Sequence, residues 1–141
     1  MSRLSDSAGQ SLVSRKKGWA DLDLSLTPHP IRKDIIPLKD NKAIVNAVKN
    51  LLQTNFYERP FQSTLGANLR GLLFEPNDAI TRIVIRENIR EVLSVYEPRI
   101  SLQGLYIEEA SQGNSYKITV EFQIKESSAV AEVEIVLRRL R

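Results

Sequence analysis

The sequence has no cysteine and a single histidine among its 141 residues. The lack of cysteine excludes disulfides and thiolate metal sites. One histidine leaves carboxylates as the remaining metal ligands, and no loop has the spacing of acidic residues that Ca²⁺ requires. We therefore expect no metal and no cofactor. We interpret His29, which lies between two prolines, as an exposed linker residue rather than a catalytic base.

Long apolar runs and a large net charge are also missing. No run approaches the ~20 residues that span a bilayer, and the N-terminus lacks the apolar segment of a secretory signal. The net charge of +3 is too small to demand nucleic acid as a partner. We therefore expect a soluble protein made inside a cell, with neither a membrane nor nucleic acid among its partners.

The composition that remains is that of a globular protein, with 42% hydrophobic and 26% charged residues. Residues 1–30 are rich in serine and predict an extended or partly disordered arm, whereas residues 31–141 predict a single α+β domain. In the arm, residues 19–24 alternate apolar and acidic side chains, as an extended segment on another surface does. The candidates for docking the arm are Trp19, Asp21 and Asp23.

Apolar residues at helical spacing predict two long helices and a short one. The first long helix covers about residues 40–54 and the short helix about residues 65–73. The second long helix begins after Pro76 and ends before Pro98, because the residue preceding a proline disfavours the helical region. The candidate N-cap residues are Asp40 or Asn41, Ser63 or Thr64, and Asn77. The predicted apolar face of the second long helix comprises Ile80, Ile83, Val84, Ile85, Ile89, Val92, Leu93 and Tyr96.

The C-terminal third changes to a period of two, which predicts a three-stranded antiparallel meander. A slip in this period at Gly104 indicates a bulge, and turns are expected at residues 112–114 and near residues 127–128. We expect no later element to cover the last strand, so that its exposed edge offers unpaired backbone groups to a strand of another chain. The candidate strand-pairing residues are Val130, Glu132, Glu134 and Val136.

The corner at which the second long helix turns into the sheet carries opposite charges on either side of a proline, in the order Glu97, Pro98, Arg99. Two interpretations are open. In the first, the charges form an exposed ion pair that braces the turn, which would contribute only ~0–1 kcal/mol. In the second, they are offered to a partner, to which arginine can make bidentate contacts.

Four short blocks of the sequence occur in the order and spacing of a known family. They are Arg59-Pro60-Phe61-Gln62-Ser63, Leu65-Gly66 with Leu69, Leu73-Phe74-Glu75-Pro76, and Tyr96-Glu97-Pro98-Arg99-Ile100. Over about residues 19–138 the chain resembles the baseplate wedge subunit of contractile phage tails, the sheath-initiator family, to which a type VI secretion baseplate component is related. The sequence departs from the family at residues 62–64, where many members have an acidic or glycine-rich turn.

The resemblance implies a non-enzymatic structural subunit of the virion's tail baseplate, made in the host cytoplasm and requiring no cofactor. It implies that Glu97, Pro98 and Arg99 contact the helical bundle of the larger wedge subunits. It also implies that the last strand pairs with the tail sheath protein and so initiates sheath assembly. Tube or hub proteins are further candidate partners.

Members of this family have often been labelled lysozyme-like, so a peptidoglycan hydrolase is the alternative function. A glycosidase needs two carboxyl groups ~5–10 Å apart. Glu75 and Glu97 lie at opposite ends of one predicted helix, on the order of 30 Å apart at ~1.5 Å per residue, and cannot form such a pair. Glu58 or Glu109 would have to approach one of them, which the sequence does not indicate.

Overall fold

The computed structural model describes residues 18–23, 25–76, 78–109 and 115–138. Its elements, in chain order, are β1 (Ala20–Leu22), β2 (Pro37–Lys39), α1 (Asn41–Gln53), α2 (Leu69–Leu72), α3 (Ala79–Tyr96), β3 (Ile100–Glu109), β4 (Ser115–Ile124) and β5 (Val130–Arg138). Two long helices, a short one and a C-terminal three-stranded antiparallel sheet confirm the predicted α+β architecture. Within the ranges described, no helix is both long enough and apolar enough to cross a membrane.

The three long strands form one sheet in the order β3-β4-β5, with each neighbour antiparallel. Every second side chain of β4 is buried, as its period of two predicts. The predicted bulge is confirmed by a register shift between Leu102 and Gly104. The turn predicted at residues 112–114 lies outside the described residues, whereas the second turn is closed by Ile124 N, which donates to Ala129 O at 2.8 Å.

The hydrophobic core lies between the helices and one face of the sheet. From α1 it receives Ile44, Val48 and Leu52, which recur at helical spacing and are at most 1% exposed. From α3 it receives Ile85 and Ile89, both fully buried. Because burying one side chain of this size contributes roughly 1.5–3 kcal/mol, this shared cluster fixes both helices on the sheet, and with them the loops at their ends.

The first turns of the two long helices differ from the predictions. The helix α3 begins at Ala79, and its N-cap is Asp78, whose carboxylate accepts a hydrogen bond from Thr81 N at 2.8 Å. This bond lowers the pKa of Asp78, because it favours the charged form. The predicted cap, Asn77, lies outside the described residues. Asp40 occupies the N-cap position of α1 but makes no side-chain capping bond.

The short helix α2 is shorter than predicted. It begins at Leu69 rather than earlier, because Gly66 and Asn68 have φ angles of +123° and +48°, which a right-handed helix excludes. The predicted caps Ser63 and Thr64 therefore lie in the preceding loop rather than at the start of the helix.

Part of the apolar face predicted for α3 is exposed. Its central residues are buried in the core, but Ile80, Ile83, Val84 and Tyr96 remain accessible to solvent. These four residues belong to the predicted apolar face but remain uncovered, because the helix is apolar over more of its surface than the sheet and α1 can cover.

The N-terminal segment packs on α1 as a small antiparallel sheet in which β1 pairs with β2. The extended conformation predicted for residues 19–24 is confirmed for Ala20–Leu22. The boundary predicted between residues 30 and 31 falls between these two paired strands. His29 lies in the segment between β1 and β2, but it is half-buried rather than exposed as interpreted, and its Nδ1 accepts from the backbone N–H groups of Ile31 and Arg32, each at 3.2 Å.

Candidate functional site

The corner between α3 and β3 is held by hydrogen bonds from both sides. Glu97 N donates to Leu93 O at 3.1 Å, which closes the last turn of α3. Lys125, which follows β4, donates its backbone N–H to Arg99 O at 3.0 Å and its Nζ to Pro98 O at 2.7 Å. The corner therefore has a fixed backbone from which the Arg99 side chain extends.

Glu97 and Arg99 form a bidentate ion pair across the proline. Arg99 Nε lies 2.5 Å from Glu97 Oε1, and Arg99 Nη2 lies 2.6 Å from Glu97 Oε2. The hydrogen bonds to Glu97 raise the pKa of Arg99, with smaller contributions from nearby carboxylate charges. The side chain of Glu97 is 5% exposed and that of Arg99 is 26% exposed. The expectation of an exposed pair is therefore wrong, and the buried carboxylate has both oxygens satisfied.

Trp19, from the N-terminal segment, lies over the same arginine. Arg99 Cζ is 4.6 Å from the centroid of the indole ring, a cation–π contact that contributes ~0.5–2 kcal/mol depending on exposure. The indole Nε1 donates to Glu126 Oε2 at 2.9 Å, and Trp19 O accepts from Asp40 N at 2.7 Å. The structure thus joins an arm candidate and the corner in one place, and we call Trp19, Glu97, Arg99 and Glu126 the Arg99 site.

The other two arm candidates lie in different surroundings. Asp21 lines a cavity of about 290 Å³ together with Glu97, and its charge contributes to the raised pKa of Arg99. Asp23 does not join the site. Its carboxylate accepts from Ser25 N at 2.9 Å, and this bond lowers the pKa of Asp23.

Sequence reasoning missed Lys125 and Glu126 as neighbours of the corner. The predicted hairpin contained a signal for them, because in the β3–β4 register Ile100 lies opposite Ile124. Extending that register by one residue places the corner beside the turn that follows β4. The contact between Trp19 and Glu126 has no such signal, since it joins residues 107 positions apart.

The last strand presents a free edge. It pairs with β4 along its whole length, and no strand of the described residues pairs with its other side. The bond from Ile124 N to Ala129 O makes these residues a hydrogen-bonded pair of the ladder. Because such pairs alternate with non-hydrogen-bonded ones, the N–H and C=O groups of every second residue from Val130 onward point away from β4. The four candidates Val130, Glu132, Glu134 and Val136 are so placed, with exposed side chains.

A groove of about 610 Å³ lies beside the C-terminal half of β5. Its walls are mostly apolar and include Leu52 of α1 and Ile135 and Leu137 of β5. The charged residues that line it are Arg70 and Arg138. The groove therefore offers apolar surface next to unpaired backbone groups, as the binding of an added strand requires.

The carboxyl groups considered for hydrolysis are separated or occupied. Glu75 and Glu97 flank the 18-residue α3, and both oxygens of Glu97 accept from Arg99. Glu58 accepts from Asn55 N and Nδ2 at 2.8 and 2.7 Å. These bonds lower the pKa of Glu58, opposite to the shift that a general acid needs. Among the residues described, no group of three or more histidine and carboxylate side chains could hold a metal ion.

Comparisons with known proteins point to one kind of assembly. The sequence profile of the family described as Baseplate wedge protein gp25 matches residues 39–129, about two thirds of the chain. A chain of the anti-feeding prophage baseplate has the same fold, with a TM-score of 0.62 and 17% identity over 86% of each chain. A chain of the post-contraction R2 pyocin baseplate has a TM-score of 0.55 and 16% identity over 86% of this chain and 99% of its own.

A proposed tail lysozyme from Geobacter sulfurreducens is also similar, with a TM-score of 0.63 and 18% identity over 70% of this chain and 89% of its own. No curated protein matches the sequence. At such low identities the solved structures establish the fold alone, and the profile match establishes the family.

The profile match assigns the chain to the structural baseplate proteins of contractile tails. Within this class, the chain belongs to the baseplate wedge protein gp25 family. The resemblance recognised in the four sequence blocks is thereby confirmed, and the protein is placed with the other components of a tail baseplate.

Proposed function

We propose that the protein binds the larger wedge subunits through the Arg99 site and initiates sheath assembly by pairing β5 with a strand of the sheath protein. On this proposal it is made in the host cytoplasm and becomes part of the virion's baseplate, with tube or hub proteins as further neighbours. The observation that carries the proposal is the free edge of β5, with its outward N–H and C=O groups.

The edge of β5 suits strand addition for three reasons. The strand has neither proline nor bulge, so its outward groups form a regular row. Its inward side chains Val133, Ile135 and Leu137 are buried, which fixes its register and face. The groove beside its C-terminal half gives room for side chains of the added strand. Main-chain hydrogen bonds would supply affinity, and alternate side chains would supply specificity.

In the Arg99 site, we assign the partner contact to Arg99 and its orientation to Glu97. The carboxylate of Glu97 is too buried to reach a partner, whereas 26% of the Arg99 side chain stays exposed. A side chain that is already held in place loses little conformational entropy on binding. Trp19 lies beside it with part of its indole exposed, and tryptophan and arginine are enriched among the residues that dominate interface energies.

The substitution Glu134→Pro tests the strand-pairing role. Because Glu134 N–H points away from β4, proline at this position removes a donor at the free edge and leaves the β4–β5 hydrogen bonds in place. We expect the variant to fold and to enter baseplates, but electron micrographs should show no sheath growing from them. Glu134→Ala, which keeps the N–H, is the control and should support assembly. Normal-length sheaths on baseplates that carry folded Glu134→Pro protein would contradict the proposal.

We also propose that the protein is not a hydrolase, since Glu75 and Glu97 flank α3 at its two ends and both oxygens of Glu97 accept from Arg99. Purified protein is expected to leave peptidoglycan uncleaved. Cleavage that disappears in Glu75→Gln, whose side chain is exposed, would contradict this expectation. Glu97→Gln is a weaker test, because it also changes the ion pair with Arg99.

A further inference from the structure

The loop between α1 and α2 holds two aromatic side chains in solvent. Tyr57 is 84% exposed and Phe61 is 105% exposed, and neither belongs to the Arg99 site or to the edge of β5. Their φ angles are +65° and +66°, in the left-handed region that bulky residues rarely adopt. We call residues 55–63 the aromatic loop. Exposure and backbone strain thus coincide at the same two residues.

Each aromatic residue occupies the third position of a tight turn. The turns cover residues 55–58 and 59–62 and are closed by N–H···O bonds of 3.4 and 3.3 Å from the fourth residue to the first. In the second turn, a proline at position two and a positive φ at position three define a type II turn, which normally has glycine or asparagine at position three. The sequence has Tyr57 and Phe61 where glycine would adopt the same backbone with less strain.

Hydrogen bonds hold the aromatic loop in this form. Asn55 donates its backbone N–H and its Nδ2 to the Glu58 carboxylate, and Tyr57 N donates to Ser63 O at 2.8 Å, which ties the two turns together. Strained residues persist only where their surroundings over-determine them, and they concentrate at functional sites. Aromatic side chains on a rigid backbone also lose little entropy on binding, as interface anchors should.

We propose that Tyr57 and Phe61 anchor an interface with another protein of the baseplate, whose surface offers apolar pockets with an acidic rim. Arg59 is exposed between the two aromatic residues, and its positive charge favours acidic groups on the partner. The neighbouring Glu58 carboxylate accepts two hydrogen bonds from Asn55 within the loop. A membrane suits the loop less well, because attraction to anionic lipid takes a cluster of basic residues. The inference rests on the proposed assembly role, but on neither the Arg99 site nor the edge of β5.

The decisive variants are Tyr57→Gly and Phe61→Gly in the full chain. Glycine relieves the backbone strain and removes the proposed anchor. Stability should therefore stay the same or rise, whereas affinity for the partner should fall. Each variant is expected to melt at or above the wild-type temperature. Each should also bind about tenfold or more weakly to wedge complexes purified from particles that lack this subunit.

Lys33→Gly is the matched control. Lys33 is exposed and has a φ of +54°, but it lies outside the aromatic loop. Its replacement by glycine relieves similar strain without removing an anchor. The affinity for the wedge complexes should therefore stay within about twofold of wild type.

Five outcomes would overturn the inference. Wild-type affinity in both loop variants, with binding still lost in Arg99→Ala protein that circular dichroism shows to be folded, would reject the anchors and leave the proposed function standing. A lower melting temperature in both loop variants would assign the aromatics to the fold. Binding of wild type to anionic vesicles, or self-association, that disappears in Phe61→Gly would identify a membrane or a second copy as the partner. Wild-type protein that does not bind wedge complexes at all would instead contradict the proposed function, on which the inference rests.

Discussion

The aromatic loop and the corner between α3 and β3 have similar sequences, because each is a short block around a proline with charged and aromatic neighbours. In the structure they are opposites. At the corner, the carboxylate of Glu97 is buried and paired, whereas in the loop Tyr57 and Phe61 are held in solvent. The comparison teaches that residue type does not decide which groups a partner can reach. The backbone hydrogen bonds around the residues decide it.

The two regions also differ in what they contribute to stability. The corner satisfies a buried charge and has no residue at positive φ, so it should stabilise the fold. The aromatic loop has two bulky residues at positive φ and buries neither, so it should cost stability. Substitutions in the two regions should therefore have opposite consequences for folding and for binding.

Arg99→Ala is expected to have the largest effect on folding. It leaves the buried carboxylate of Glu97 without its partner, which costs about 3–5 kcal/mol of unfolding free energy. Urea denaturation measures the loss. The double variant Glu97→Gln, Arg99→Ala should recover part of it, because the buried charge is gone. A loss below ~1 kcal/mol for Arg99→Ala would instead put the pair among exposed ion pairs.

Gly66→Ala is expected to have the next largest effect on stability. Its effect is compared with that of Phe61→Gly, which makes the opposite kind of substitution. Gly66 has a φ of +123°, and a Cβ there would lie 2.4 Å from Thr54 O. The substitution is expected to cost about 2–4 kcal/mol, whereas Phe61→Gly should cost nothing. Thermal melts of the two variants make the comparison. Similar destabilisation in both would mean that the Phe61 side chain contributes to packing.

Trp19→Ala tests whether the N-terminal segment holds the arginine of the Arg99 site. The loss of the indole over Arg99 and of its bond to Glu126 should cost about 1–2 kcal/mol. Trp19→Phe keeps a ring over the guanidinium and loses the Nε1 donor, so its cost should be about half as large. Unfolding free energies from urea denaturation separate the two variants. Unchanged stability in Trp19→Ala would show that Arg99 is held by Glu97 alone.

The smallest effect is expected at the N-cap of α3, away from both regions. The bond from Thr81 lowers the pKa of Asp78 below its ordinary value of 3.8. The stabilisation that comes from the charged carboxylate is therefore complete at pH values above 3.8 and is lost as pH falls through the lowered pKa. Asp78→Ala should lower the melting temperature by a few degrees near neutral pH, and the difference from wild type should shrink in strong acid, where the protonated carboxyl group keeps only a neutral acceptor. Asp78→Asn, which caps without a charge, should show little of this pH dependence. A difference that stays constant with pH would rule out the charged cap.

Much of the fold could be predicted because local patterns encode it. The period of two in β4, the slip at Gly104 and the proline after Glu97 each have a direct structural consequence. The start of α2 could not be predicted, since Asn68 adopts a positive φ that its residue type permits but does not require. The exposed part of α3 was missed because periodicity shows which residues share a face, and not how much of that face is covered.

The candidate sites were predictable to different degrees. The exposed side chains of β5 follow from its alternation, and the corner follows from its place between a helix and a strand. The contact between Trp19 and Arg99 is tertiary and leaves no periodic trace in the sequence. The exposure of Tyr57 and Phe61 was equally hidden, because an aromatic residue in a loop is buried or exposed according to the turn that holds it.

The alternation of outward backbone groups along β5 limits where a strand can be added. Neighbouring outward residues are two positions apart, which in a β-strand is about 7 Å. An added strand can therefore move along the edge in steps of that length, whereas a shift of one residue would turn its groove-facing side chains into solvent. The groove lies beside residues 135–138 and not along the whole strand. Only one of these registers therefore places large side chains of the added strand opposite the groove. On the proposed strand pairing, the groove would therefore select one register and so set where along β5 the partner strand begins.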